Sequence, residues 1–290
     1  MKLSYNEATA KGCSNLLTDL KLCEKAGFDY IEIRLDMLAE YLKEHTVEEL
    51  TEFFKNSRIK PHAMNALYLY PEFLSDKDDL EKQKALMEEF LLGCEVSKAI
   101  GNHYFIIVPP LQRDPLGGPF IGDAEKTFTD CVRMLTKLSD IAKGYDMKLC
   151  FELVGFDRSS VRSIYEADRI VRAVNRENVG FVFDSYNIYL NGRKNEFSEL
   201  QTVAPEKIFA VHLMSGLEVP DEQMGQDKRC FCDKGVVDID NFLMNLKKTG
   251  YQGMVSVETF NPEYWRQSPE LVIQEAYQTL EKKLIENKCI

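Results

Sequence analysis

The sequence predicts an α/β fold: a closed (β/α)8 TIM barrel forming a single domain over residues 1–290. Three observations carry that prediction. Short apolar, β-branched or aromatic runs alternate with longer amphipathic stretches, which argues for a parallel sheet with helices outside. The alternation completes eight strand-plus-helix units in 290 residues, a number and length at which such a sheet closes on itself. No composition break marks a linker. The rival open, doubly wound sheet lacks its usual phosphate-loop signatures: no G-x-G-x-x-G follows the first strand, and no G-x-x-x-x-G-K-[ST] appears.

In order, "KLSYN" opens as a strand, and Leu16, Leu17, Leu20 and Cys23 then recur at helical spacing. "FDYIEIRL" reads as the second strand. "TVEELTEFFKNS" reads as a helix, with Thr46 as N-cap and Glu49 at the capping-box position. The third strand is "IKPHAMNAL", followed by a helix from about Asp78 to Ile100, and the fourth is "HYFIIV". A Pro/Gly-rich loop, "PPLQRDPLGGPFIGD", leads to a helix over Ala124–Tyr145. "MKLCFEL" and a helix over Ile164–Val174 follow, then "VGFVFD" and a shorter helical piece near Asn195–Val203. "KIFAVHL", a long polar loop Met214–Lys234, a helix Ile239–Lys248, "GMVSVETF" and a helix Glu270–Glu286 complete the chain.

Composition excludes several functions. The formal net charge is -11, from 36 basic and 47 acidic residues, which argues against a main role on nucleic acid. The N-terminus has no apolar signal region and no run is long enough to span a membrane. The 8 cysteines are scattered, as expected of reduced thiols in a cytoplasmic protein. The close-set Cys230-Phe-Cys232 has no second pair to complete a zinc site and reads as loop packing.

The chemistry of such barrels sits at the C-terminal ends of the strands. The last four strands end on Glu152, Asp184, His212 and Glu258, each after four or more mostly apolar residues. Singly, each has a bland explanation. Asp184 before Ser185 is a natural Asx cap. His212 can be a satisfied barrel histidine, and each glutamate can pair with a loop arginine. Together they crowd three carboxylates and an imidazole onto one face, where like charges repel and raise one another's pKa. One shared divalent cation removes that conflict. Three oxygens and one nitrogen suit Mn²⁺, Mg²⁺, Co²⁺ or Zn²⁺ without choosing among them. On the same rim, Glu32, His62, Asn65 and Arg229 are candidate substrate contacts, with buried pairing as the alternative for Glu32 and His62. Trp265 can floor a sugar-sized pocket or simply cover the barrel.

These strand-end residues, with "NEAT" at 6–9, "LCEKAGFDYIEIR" at 22–34, "VNRENVGFVFDS" at 175–185 and "VSVETFNPEYW" at 255–265, resemble the xylose-isomerase-like barrel family. That family comprises sugar-phosphate isomerases, epimerases and endonuclease-IV-type enzymes. The resemblance spans nearly the whole chain and is greatest to the branch acting on inososes in bacterial inositol catabolism. It implies that Glu152, Asp184, His212 and Glu258 hold the metal, that Glu152 and Glu258 are the acid/base pair, and that Arg229 is the family's seventh-loop arginine. Relatives often carry a histidine three residues after the aspartate, where this chain has Asn187. They also carry Pro-Gly-x-Gly before the seventh helix, where this chain has Cys232-Asp233-Lys234-Gly235. Asn187 can orient a substrate hydroxyl but cannot readily shuttle a proton.

The expected activity is therefore a metal-dependent isomerisation or epimerisation of a polyhydroxy ketone (a sugar, sugar phosphate or inosose) through an ene-diolate. A sugar-binding barrel without turnover is one rival. An endonuclease-IV-like phosphodiesterase is another, but it would need more histidines than the 4 present and suits the acidic charge poorly. Barrels of this type often pair through helices, which leaves a homodimer open.

Overall fold

The computed structural model describes residues 1–69, 80–112, 118–192 and 194–290. Among these, eight parallel strands close into a barrel: β1 (Lys2–Asn6), β2 (Tyr30–Arg34), β3 (Lys60–Tyr68), β4 (Tyr104–Val108), β5 (Lys148–Glu152), β6 (Val179–Asp184), β7 (Ile208–His212) and β10 (Met254–Val257), which returns to β1. A separate antiparallel pair, β8 (Ser215–Gly216) and β9 (Arg229–Cys230), lies inside the loop after β7. The helices are α1 (Leu16–Ala26), α2 (Leu35–Tyr41), α3 (Val47–Asn56), α4 (Leu80–Ile100), α5 (Ala124–Ala142), α6 (Ile164–Val174), α7 (Ser185–Leu190), α8 (Ile239–Lys248) and α9 (Pro269–Glu286).

All eight strands stand where the apolar runs place them. Thr46 and Glu49 form the reciprocal capping box at the start of α3. The starting residues 78 and 79 of the helix expected over about 78–100, and residues 113–117 of the Pro/Gly-rich loop, lie outside the described residues. Three boundaries differ from the sequence reading. The second strand stops at Arg34, and Leu35 begins α2 at once, because "LDMLAEY" buries Leu35, Met37, Leu38 and Tyr41. The expected helix near Asn195–Val203 is a 3-10 segment at Ser198–Thr202, while α7 follows β6 without a loop. The polar loop Met214–Lys234 is pinned by the β8–β9 pair, with Gly216 opposite Arg229.

Strand alternation sorts side chains to two faces. One face packs the helices in a large apolar core that includes Tyr5, Phe28, Phe90, Phe105, Phe151 and Phe181. The other points into the barrel. Cys150, Val182 and Ala210 precede Glu152, Asp184 and His212 by two residues, and they form a second apolar cluster with Ala63, Ile106 and Phe209. This apolar plug lies beneath the polar strand ends. Register shifts in β3 against both neighbours break the alternation, so that His62 and Asn65, three residues apart, both face the interior.

A buried acidic pair, Glu7 just past β1 and Asp19 in the first turn of α1, lies beside the end of β2, where Glu7 accepts the Arg34 amide. Asp19 on α1 has one carboxylate oxygen bonded by the Ser14 hydroxyl, and its Oδ2 has no partner. Burial pushes its carboxyl up to about 7. Burial, and then the Asp19 charge, push Glu7 well above the usual range. Tyr5 and Cys23 face the same pair and are raised by burial first. An acid raised in the folded state stabilises fully below its unfolded value of about 4, and that contribution is lost as pH rises through the folded value. Asp19→Asn is therefore expected to raise Tm over wild type near pH 8, with the gap closing toward about pH 4. Melting curves across that range decide it, and a gap independent of pH would contradict it.

Candidate metal centre

The register sets the site. Asp184 stands directly opposite His212 in the β6–β7 ladder, and Glu152 is aligned with Val182 one step below Asp184. Ser256 is opposite His212, so Glu258, the first residue past β10, rises above it. One ligand atom from each of Glu152, Asp184, His212 and Glu258 lies within 4.8 Å of all the others, and all four residues are buried. Among the described residues this is the one such group of His, Cys, Asp and Glu.

Each side chain is held from behind. Asp184 caps α7 after all: its Oδ1 accepts the Asn187 amide at 2.7 Å, while Oδ2 accepts Arg229 Nη1 at 2.5 Å. Asn187 also donates its Nδ2 to Glu152 Oε1 at 3.0 Å, so it ties two ligand carboxylates together. The backbone at Gly155 runs so close to Asn187 that a Cβ there would meet its carbonyl oxygen at 1.9 Å, which requires glycine. Glu258 Oε1 accepts Asn6 Nδ2 at 3.0 Å and Asn65 Nδ2 at 3.1 Å. Its Oε2 faces His212 Nδ1 at 3.3 Å and Arg229 Nη1 at 3.6 Å.

Arg229, delivered by β9, is 1% exposed and lies over the rings of Tyr186 and Phe260. It brings one positive charge to the site and pairs with two members of the group. Glu32 and His62 lie on the opposite side of His212. Both Glu32 oxygens are 3.1 Å from His212 Nε2, and Oε1 is 3.1 Å from His62 Nδ1. Asn6 Nδ2 donates to Glu32 Oε2 at 2.7 Å. Trp265 donates its indole N–H to the Ala8 carbonyl and packs over Gly12, joining the last loop to the first. All 8 cysteines are free, and Cys230 and Cys232 are buried in loop contacts, their thiols directed at backbone carbonyls.

The electrostatics show what the site lacks. Burial, and then the Glu258 charge, push the Glu152 carboxyl up to about 8. Burial opposes charge on His212, yet Glu32 and Glu258 hold its imidazolium well above the ordinary value. Burial likewise opposes charge on Glu32 and Glu258, and His212 overcomes it, leaving both carboxyls lowered. His212 and Arg229 pull the Glu152 carboxyl down, and burial with the neighbouring carboxylates outweighs them. His212 Nδ1 is buried without a hydrogen-bond partner and faces the carboxylates. An unpartnered imidazole nitrogen among three carboxylates fits a divalent cation of the Mn²⁺, Co²⁺, Zn²⁺ or Mg²⁺ kind.

The model for the xylose isomerase-like TIM barrel matches residues 20–283. The chain belongs to this family. Within it, the chain is 38% identical to an inosose isomerase of Halalkalibacterium halodurans, over 96% of this chain and 95% of that protein. It is also 38% identical to an inosose isomerase of Bacillus subtilis, over 96% of both. The solved structure of the IolI protein with a bound zinc atom superposes with a TM-score of 0.89 at 36% identity, covering 99% of each chain. That zinc supports a divalent metal for the xylose isomerase-like site without settling which one.

Sequence reasoning missed Asn6, which braces Glu32 and Glu258. The signal was present: Asn6 is a polar residue ending the first strand, the same rule that found the other four. It also missed Arg34, whose guanidinium forks onto Asp36 at 3.0 and 3.1 Å and lies over Phe260.

Proposed function

We propose that this isomerase shifts a carbonyl, or inverts the neighbouring centre, on a polyhydroxy ketone of the sugar or inosose class. Proton transfer runs between Glu152, Glu258 and the substrate through an ene-diolate. The observation that carries this reading is the convergence of two glutamates, from non-adjacent strand ends, on one buried point shared with Asp184 and His212. The inosose isomerases among its relatives support the inosose class in particular. A divalent cation held by Glu152, Asp184, His212 and Glu258 supplies Lewis acidity toward the substrate's oxygens.

The chain's own residues do the rest. One glutamate removes the proton beside the carbonyl and the other returns a proton to the adjoining carbon or the opposite face, each worth about 10²–10⁴ in rate; in the carbonyl shift the hydroxyl proton also passes from one substrate oxygen to the other. Asn187 fixes Glu152 through Oε1, and Asn6 with Asn65 fix Glu258 through its Oε1, so the two acids are held before substrate arrives. Arg229 balances Asp184 and Glu258, and the rings of Tyr186 and Phe260 beside it limit water around the guanidinium. Asn187, placed where relatives often have histidine, acts as a brace and hydroxyl-orienting group in place of a proton carrier. Incubation of the metal-loaded protein with inososes and ketoses in D₂O, followed by NMR, is expected to show deuterium entering at the carbon beside the carbonyl. No isomerisation and no deuterium uptake with any of them would refute the reading.

A further inference from the structure

Glu32 has no counterpart among the metal ligands, yet it is the most heavily bonded carboxylate of the region. It is fully buried, bonds His212 Nε2 through both oxygens, accepts the side-chain amides of Asn6 and Asn65 on Oε2 at 2.7 and 3.4 Å, and has His62 Nδ1 3.1 Å from Oε1. His62 is itself held by Ser4 Oγ at 3.0 Å. Both oxygens of Glu32 are engaged by protein groups. Its position matters because His212 lies between two carboxylates that compete for one imidazole proton. Glu258 Oε2 is 3.3 Å from Nδ1, and Glu32 is 3.1 Å from Nε2. If the proton sat on Nδ1, it would point into the ligand group and shut that nitrogen to a cation. If it sits on Nε2, the Nδ1 lone pair is open.

We propose that Glu32 is the positioning residue that decides this contest: it holds the proton on His212 Nε2, so that Nδ1 is the nitrogen offered to the divalent cation. This rests on the metal-centre reading above. A carboxylate behind a metal-binding histidine fixes its tautomer and ring orientation and raises its basicity. Glu32 does so from β2, across the barrel from β7, and His62 and the two asparagines keep its carboxylate from turning away. On this proposal Glu32 and His62 act through the buried pairing that was the sequence alternative to substrate contact.

The test is a Zn²⁺ titration of the metal-stripped wild type and of Glu32→Gln, with Co²⁺ absorption spectra of both. Loss of the carboxylate behind His212 is expected to weaken metal binding by about 10–100-fold and to alter the Co²⁺ band. Wild-type binding with an unchanged affinity and spectrum in Glu32→Gln would overturn the proposal while leaving the metal centre standing. Failure of the wild type to bind one ion would sink the metal-centre reading itself, and the proposal with it. Should Glu32→Gln not fold, ¹⁵N NMR of the native Zn²⁺ form gives the same answer. A proton on His212 Nε2 with Nδ1 metal-bound is expected, and the reverse assignment overturns the proposal.

Discussion

Glu258→Gln is expected to lower isomerisation by at least about 10³-fold at saturating metal, with the fold intact. The change is isosteric, and a Gln oxygen can still accept Asn6 and Asn65, so the brace on that side survives. What is lost is the charge facing His212 Nδ1 and Arg229, and with it the ligand and the proton carrier proposed above. Saturating metal separates the two losses: affinity recovers with concentration, whereas the missing base does not. Deuterium exchange should fall in step with turnover. Retention of more than about a tenth of wild-type activity would remove Glu258 from the acid/base pair, since one proton-transfer group is worth about 10²–10⁴.

Arg229→Met should be the most damaging substitution for stability near the site. Arg229 is among the largest fully buried side chains and pairs with Asp184. Removing one partner of a buried ion pair leaves the other uncompensated, at a cost of about 3–5 kcal/mol. For a chain of this size that corresponds to a fall in Tm of at least about 6 °C. Metal should offset part of the loss, because a cation restores positive charge to the same carboxylates. The exposed pair Arg176–Asp140 serves as control, and breaking it should leave Tm nearly unchanged. Equal melting temperatures for wild type and Arg229→Met in chelator would show that Asp184 does not depend on the guanidinium.

The barrel was legible because its signals are local. Apolar runs such as "FVF" and "IFAV" declare strands, and an acidic residue or histidine closing the last four runs declares a rim. Asp184 shows that the cap reading does not exclude the other, since Oδ1 caps α7 while Oδ2 accepts Arg229 and lies 4.0 Å from His212 Nδ1. What was not legible depends on register and chain return. Nothing local pairs Glu32 with His212, 180 positions away. The β8–β9 hairpin that fixes Arg229 is two residues per strand, too short to show a period. The end of the second strand was misjudged because Leu35 extends an apolar run while starting a helix that buries the same residue.

The most direct test of the central claim is anomalous diffraction from crystals of the metal-loaded protein, recorded at the absorption edge of the bound ion. One peak is expected, within coordination distance of Glu152, Asp184, His212 Nδ1 and Glu258. A map with no peak there, or with the ion on other residues, would contradict a metal-dependent isomerase built on these four strand ends.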